Sequence, residues 1–132
     1  MKDYPGADWL SRYRDNVNAD VELDVIGRWF TTTFTLTFGD RRYAVKVDKG
    51  RIVDIVAEPR LDVRSEFGFR SPIEVWDKFL SPNPPPLFHD FFAMLMRVPE
   101  FVLEGDSLAA MQNARALHRM MNIMRETGAP HA

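Results

Sequence analysis

Over residues 29–38 large apolar side chains alternate with threonines. Phe30, Phe34, Leu36 and Phe38 fall on one side, and Thr31, Thr33, Thr35 and Thr37 on the other. A period of two predicts a strand with one face in the core, and Phe and Thr both suit a half-buried pleated surface. Gly39-Asp40 predicts a two-residue hairpin turn with Gly first. Residues 42–47 then return with Tyr43, Val45 and Val47 inward, Asp48-Lys49-Gly50 turns again, and residues 51–57 supply the next strand. The result is an antiparallel meander with one apolar face and one Thr/Lys/Arg face. Residues 20–26 carry the same alternation, with Val21, Leu23 and Val25 set against Glu22 and Asp24, and predict a strand ahead of Gly27. Phe67-Gly68-Phe69 and the stretch from Phe101 to Glu104 read as short strands.

Helical spacing takes over elsewhere. Residues 4–16 predict a short amphipathic helix capped by Asp8, with Trp9, Leu10 and Tyr13 inward. Ser71-Pro72-Ile73-Glu74 has the composition of a capping box, and Ile73, Trp76, Phe79 and Leu80 then share a face. Residues 87–96 are apolar nearly all round, which predicts enclosure on most sides. Asp106 predicts the N-cap of one helix running from Ser107 to Arg125, about five turns long. Its stripe is Ala110, Ala114, Leu117, Met121 and Met124, widened by Leu108, Met111, Met120 and Ile123. Gln112, Asn113, Arg115, Arg119 and Arg125 are expected in water. Strands first and helices later predict an α+β domain, a mainly antiparallel sheet with helices packed on one face.

Composition narrows the function more than the fold. With 132 residues, a single domain is expected over 1–132, its last five residues (128–132) a frayed tail. Hydrophobic content of 45% and charged content of 27% are ordinary for a globular chain. A net charge of −2 leaves no electrostatic footprint for nucleic acid. With no cysteine there are no disulfides and no thiolate metal sites. No secretory h-region and no long apolar run occur, so a cytoplasmic protein is expected.

Catalytic groups are sparse. His89-Asp90 is the one pair with a catalytic look. A metal-dependent site would need further ligands, and only His118 and His131 remain of the 3 histidines. Asp90 is expected beside a helix start, where its charge favours the helix dipole. Asp106 serves better as a cap than as a partner for Glu104, and no phosphate loop, dinucleotide fingerprint or nucleophile elbow occurs. No metal and no cofactor are expected. Arg115, His118 and Arg119 form a small basic patch, either a solvated face or a contact for a lipid headgroup or carboxylate. What remains is a surplus of apolar side chains, with six of the 7 methionines between Met94 and Met124. Methionine adapts to irregular apolar shapes. Either the core is simply rich, or sheet and helices enclose a pocket that binds rather than transforms.

The order of these elements resembles the sterol carrier protein 2-like family. The resemblance lies in WFTTTFTLTFGDRRYAVKVDKGRIVDIV, then RSPIEVWDKFL, then FVLEGDSLAAMQNARALHRMM, and spans roughly residues 8–125. It implies a sheet of five strands, with helices enclosing an apolar tunnel, that carries fatty acid, fatty-acyl-CoA or a sterol-like lipid without chemistry. By the same resemblance Phe34 and Leu36 on the sheet and Leu117, Met121 and Met124 on the last helix would line the tunnel. Trp76, Phe88 and Phe92 from the apolar surplus would complete it. Two features depart from the family's eukaryotic carriers: the Ala-Pro-His-Ala terminus lacks a peroxisomal signal, and Pro82–Pro86 replace a glycine-containing approach to the next helix. Transient membrane contact and a homodimer are compatible with this reading. The alternatives are a small isomerase or hydrolase using His89 and Asp90, and a protein-interaction or accessory domain with a solid core.

Overall fold

The computed structural model describes residues 6–59 and 63–127. Its helices are α1 (Ala7–Ala19), α2 (Val21–Ile26), α3 (Ile73–Leu80), α4 (Phe91–Arg97), α5 (Ser107–Gln112) and α6 (Ala114–Thr127). Its strands are β1 (Thr32–Phe38), β2 (Arg41–Asp48), β3 (Arg51–Ala57), β4 (Phe67–Ser71) and β5 (Val102–Gly105). They form one sheet of 5 strands in the order β3-β2-β1-β4-β5. All neighbours pair antiparallel except β1 and β4, which run parallel. The α+β class and the mainly antiparallel sheet are as expected.

Alternation builds the inner face. Phe34 pairs with Val45 and Phe67, and Leu36 with Tyr43 and Phe69, so the apolar side chains of three strands share one side. Helices cover that side. Trp9 of α1 meets Phe38 edge-on at 6.2 Å, and the Tyr13 hydroxyl donates to the Met120 carbonyl of α6 at 3.1 Å. Burial pushes the Tyr13 phenol pKa above its ordinary value. Trp76 of α3 donates its indole N–H to the Thr37 carbonyl at 2.9 Å and lies 4.5 Å from the Phe38 ring.

The threonine side is less open than the pattern implies: Thr35 and Thr37 are buried. Thr35 sits at the bottom of a hollow rimmed by Arg42, Glu66 and Glu104. Its hydroxyl lies over Gly68, where an added Cβ would come within 1.8 Å of Oγ1. The turn after β2 places Lys49 and Gly50 both at positive φ, 53° and 80°. Gly50 also packs on Gly27, whose carbonyl a Cβ at Gly50 would meet at 2.9 Å, so only glycine fits.

Several elements depart from the sequence pattern. Residues 20–26 are not a strand: Asp20 caps a helical turn, accepting from the Leu23 N–H at 3.0 Å. Only Leu23 is buried there, with Val21 and Val25 exposed at 79% and 60%, so no sheet face collects the alternation. α1 starts at Ala7 with Gly6 at the N-cap rather than Asp8, and continues to Ala19. β1 begins at Thr32, leaving Trp29 86% exposed in the preceding turn. Ser71 closes β4 instead of capping α3. It is held in register with Phe38, and its carbonyl accepts from the Gly39 N–H at 2.9 Å, so Pro72 becomes the N-cap.

Residues 87–96 do not form one enclosed helix. Asp90 caps α4, accepting from the Phe92 N–H at 2.8 Å, and only Phe91 and Met94 of α4 are buried, with Met96 82% exposed. The closing helix is broken at Asn113, whose side-chain amide donates to the Ala109 carbonyl at 2.9 Å. The break rotates the stripe. Ala116 turns inward and Ala114 moves partly outward, while Leu108 and Met111 are exposed.

Candidate ligand-binding site

The inner face of the sheet and the buried face of α6 contribute to one apolar core. Phe34, Leu36, Trp76, Leu117, Met121 and Met124 are all buried in it, together with Met94, Met120 and Phe69. The Phe34 ring stacks on Phe67 at 5.5 Å and meets Phe69 edge-on at 6.4 Å. The sequence-predicted lining residues on β1, α3 and α6 are therefore brought together in one core. Phe88 and Phe92 pack against that core from its edge and stay half-buried.

One wall of this core is made by residues 81–90 and α4. Arg125 fastens it. The guanidinium donates to the Phe79 carbonyl at 2.8 Å, to His89 at 3.2 Å and to Phe88 at 3.4 Å, and lies 4.7 Å from the Phe79 ring centroid. Its partners are carbonyls and a ring, and burial lowers its pKa from the ordinary value. Arg125 is therefore not the solvated residue that its place on the helix predicts. Its acceptors lie 36 to 46 residues away along the chain, so no local pattern could reveal them. A second contact joins α4 to α6: the His118 imidazole stacks on Phe91 and Phe92 at 5.9 and 5.8 Å, with Nε2 3.8 Å from Asp90 Oδ1. Leu87 adopts φ 79° within this wall, a backbone state unusual for a non-glycine residue.

Of the groups singled out as candidate acids and bases, the carboxylates make structural contacts. Asp90 caps α4 and faces His118 rather than its neighbour His89, which is exposed. Asp106 caps α5, accepting from the Ala109 N–H at 3.0 Å, and Glu104 pairs with Arg70 at 3.2 Å. Among the described residues no cluster of His, Asp and Glu could hold a metal, and no helix is long and apolar enough to cross a membrane.

Several open cavities lie at the surface of the described residues. One of about 290 Å³ separates α1 from the β2–β3 edge, lined by Leu10, Arg14, Tyr43, Asp54 and Ile55 among others. Two more, of about 270 and 260 Å³, adjoin at α2 and the start of α6. The cavities described so far are not lined by the predicted lining residues, which sit in the packed layer beneath.

No protein-family model matches the sequence, and no curated protein matches it significantly. Solved structures do. A crystal structure of sterol carrier protein 2 superposes with a TM-score of 0.73 at 17% identity, covering 92% of this chain and 96% of that one. The solution structure of a conserved hypothetical protein from Thermus thermophilus, suggested in its description to be a sterol carrier protein, gives 0.71 at 16% identity over 96% and 90%. A ubiquinone synthesis protein described as UbiJ-SCP2 gives 0.58 at 12% identity over 88% and 87%. These superpositions, over about nine-tenths of each chain, show that the chain has the sterol carrier protein 2 fold.

Proposed function

We propose that this protein binds an extended lipid-like ligand, a fatty acid, fatty-acyl-CoA or sterol-like compound, between the sheet and α6, and does no chemistry on it. Phe34, Leu36, Trp76, Leu117, Met121 and Met124 would line the ligand, with Phe88 and Phe92 where it enters. One observation carries the reading. The layer between sheet and helix is part of one apolar core, walled on the α6 side by Met120, Met121 and Met124. Methionine can change rotamer to admit a ligand at small cost. In the packed state the ligand needs room, and the wall of residues 81–90 with α4 is the element to move. On this reading the protein works in the cytoplasm and meets membranes only transiently.

Long-chain fatty acids or sterols should raise the melting temperature. At about 100 times its dissociation constant a ligand adds roughly 2.7 kcal/mol, a shift of several degrees for a domain of this size. Native mass spectrometry of freshly purified protein should show co-purified lipid. A broad lipid panel that shifts nothing beyond error removes the main support.

Leu117→Phe locates the ligand. The side chain is fully buried, so enlarging it should cost about 1–3 kcal/mol in ligand-free protein and cut the lipid-induced shift to less than half. A folded Leu117→Phe protein with the full lipid shift would place the ligand outside this layer.

A further inference from the structure

The two adjoining hollows beside the break between α5 and α6 differ in character, and their shared wall is informative. The hollow of about 260 Å³ is lined by Ile26, Trp29, Phe30 and Met111 together with the amides of Gln112 and Asn113, and Arg115 is its one charged residue. Phe30 is buried and forms the floor, whereas Trp29, 86% exposed, stands at the rim with nothing packed over it. The neighbouring hollow of about 270 Å³ is polar, lined by Glu22, Ile26, Arg115, His118, Arg119 and Asn122. Ile26 and Arg115 belong to both.

The charges around this seam are not equivalent. Arg119 is spent on Asp20 at 2.6 Å and Glu126 at 3.1 Å, and His118 is turned toward Asp90. Among the described residues Arg115 has no acidic partner, and Glu22 lies on the polar wall without a close ion pair to it. A guanidinium without an ion pair, at the junction of a largely apolar slot and a wet one, matches an amphiphile with a single negative head. Arginine binds a carboxylate through paired N–H groups, and an exposed indole beside aliphatic side chains gives the tail a surface to cover.

We infer that these hollows form a second, surface site for a hydrophobic carboxylate, its chain against Trp29 and Met111 and its head on Arg115. This site is separate from the buried layer proposed above and stands whether or not that layer takes up lipid. Its occupant is a free amphiphile, because the hollows are concave and Arg115 is, among the described residues, the one cation on their shared wall without an acidic partner, with Glu22 beside it opposing the head.

Tryptophan emission tests this directly, since Trp9 and Trp76 are fully buried and Trp29 is the exposed indole. Titrating the full chain with monomeric dodecanoate should give a saturable blue shift that is absent in Trp29→Phe. Arg115→Gln should weaken the midpoint about tenfold, as expected for loss of a charge-assisted contact, and Glu22→Gln should tighten it. Dodecanol, with the same chain and no charge, should bind weakly and equally to both Arg115 forms. No shift, or a midpoint unchanged in Arg115→Gln, overturns the proposal, as does a shift seen only with anionic phospholipid vesicles. Leu117→Phe separates the two sites. A Trp29 response that survives it supports the surface site even if the thermal shift is lost. A thermal shift with no Trp29 response overturns the surface site and leaves the interior reading standing.

Discussion

Trp76→Ala is expected to destabilise the protein by about 3–5 kcal/mol. The ring is fully buried, 4.5 Å from Phe38 and edge-on to Phe101 at 5.4 Å and Phe79 at 6.4 Å. It therefore joins α3, β1 and the segment before β5 in one contact. Removing it leaves a void that rigid aromatic neighbours cannot close, and it strips the Thr37 carbonyl of its indole donor. Trp76→Phe separates the two contributions. It keeps most of the ring and loses the hydrogen bond, so it should cost roughly 1–2 kcal/mol. Urea unfolding of both variants measures the difference. A loss under 1 kcal/mol for Trp76→Ala would show that α3 does not anchor on β1 as described. Because a domain of this kind has about 5–15 kcal/mol in total, the alanine variant should also melt far earlier.

Asp20→Asn is the second large effect, and it depends on pH. Asp20 does two things at once. It caps α2 through the Leu23 N–H and it receives the Arg119 guanidinium at 2.6 Å, with 11% and 25% of the two side chains exposed. The bond from Arg119 is the main reason the Asp20 pKa lies below its ordinary value, opposed by partial burial and helped by the Leu23 N–H. The Arg119 pKa is raised in turn, chiefly by the same bond, so the two partners agree in sign. Asparagine caps a helix about as well as aspartate, so this substitution removes the ion pair and keeps the cap. At pH 7 it should cost about 1.5–3 kcal/mol. A depressed carboxylate contributes stability that is fully present above its unfolded pKa, near 3.9. That stability is lost as pH falls through the folded value. Unfolding curves should therefore show the wild-type advantage at pH 7 and a smaller one at pH 3. An advantage of equal size at both pH values would mean that the carboxylate charge is not the source.

Short-range patterns were reliable where one face of an element meets one partner. The alternation over β1 placed Phe34, Leu36 and Phe38 inward, and Gly39-Asp40 and Lys49-Gly50 turned the chain where expected. α1 and α3 turned Trp9, Tyr13, Trp76 and Phe79 to the core as their spacing implied. The same patterns misled where an element is too short to show its period. Residues 20–26 satisfy strand and helix spacing alike, and the capping side chain of Asp20 is held by a residue 99 positions away. In residues 87–96, near-continuous apolarity implied burial all round. A helix that meets α6 on one side leaves Met96 in water regardless of its hydrophobicity.

The sequence by itself determined the class of the fold, the meander, the inner apolar face and the scarcity of catalytic groups. Each of these follows from residues within a few positions of one another: a period of two, a turn glycine, a cap, the missing cysteines. The tertiary structure decided the rest. It set β4 parallel to β1, broke the closing helix at Asn113, and tied Arg125 to the carbonyls of Phe79, Phe88 and His89. It also brought Trp29 and Arg115 to one groove although 86 residues of chain separate them. The break at Asn113 rests on a local bond to Ala109; the other three share one physical reason. A backbone period records which side of an element is apolar, but a hydrogen bond to a distant carbonyl or a hollow between two helices exists only after the elements have packed.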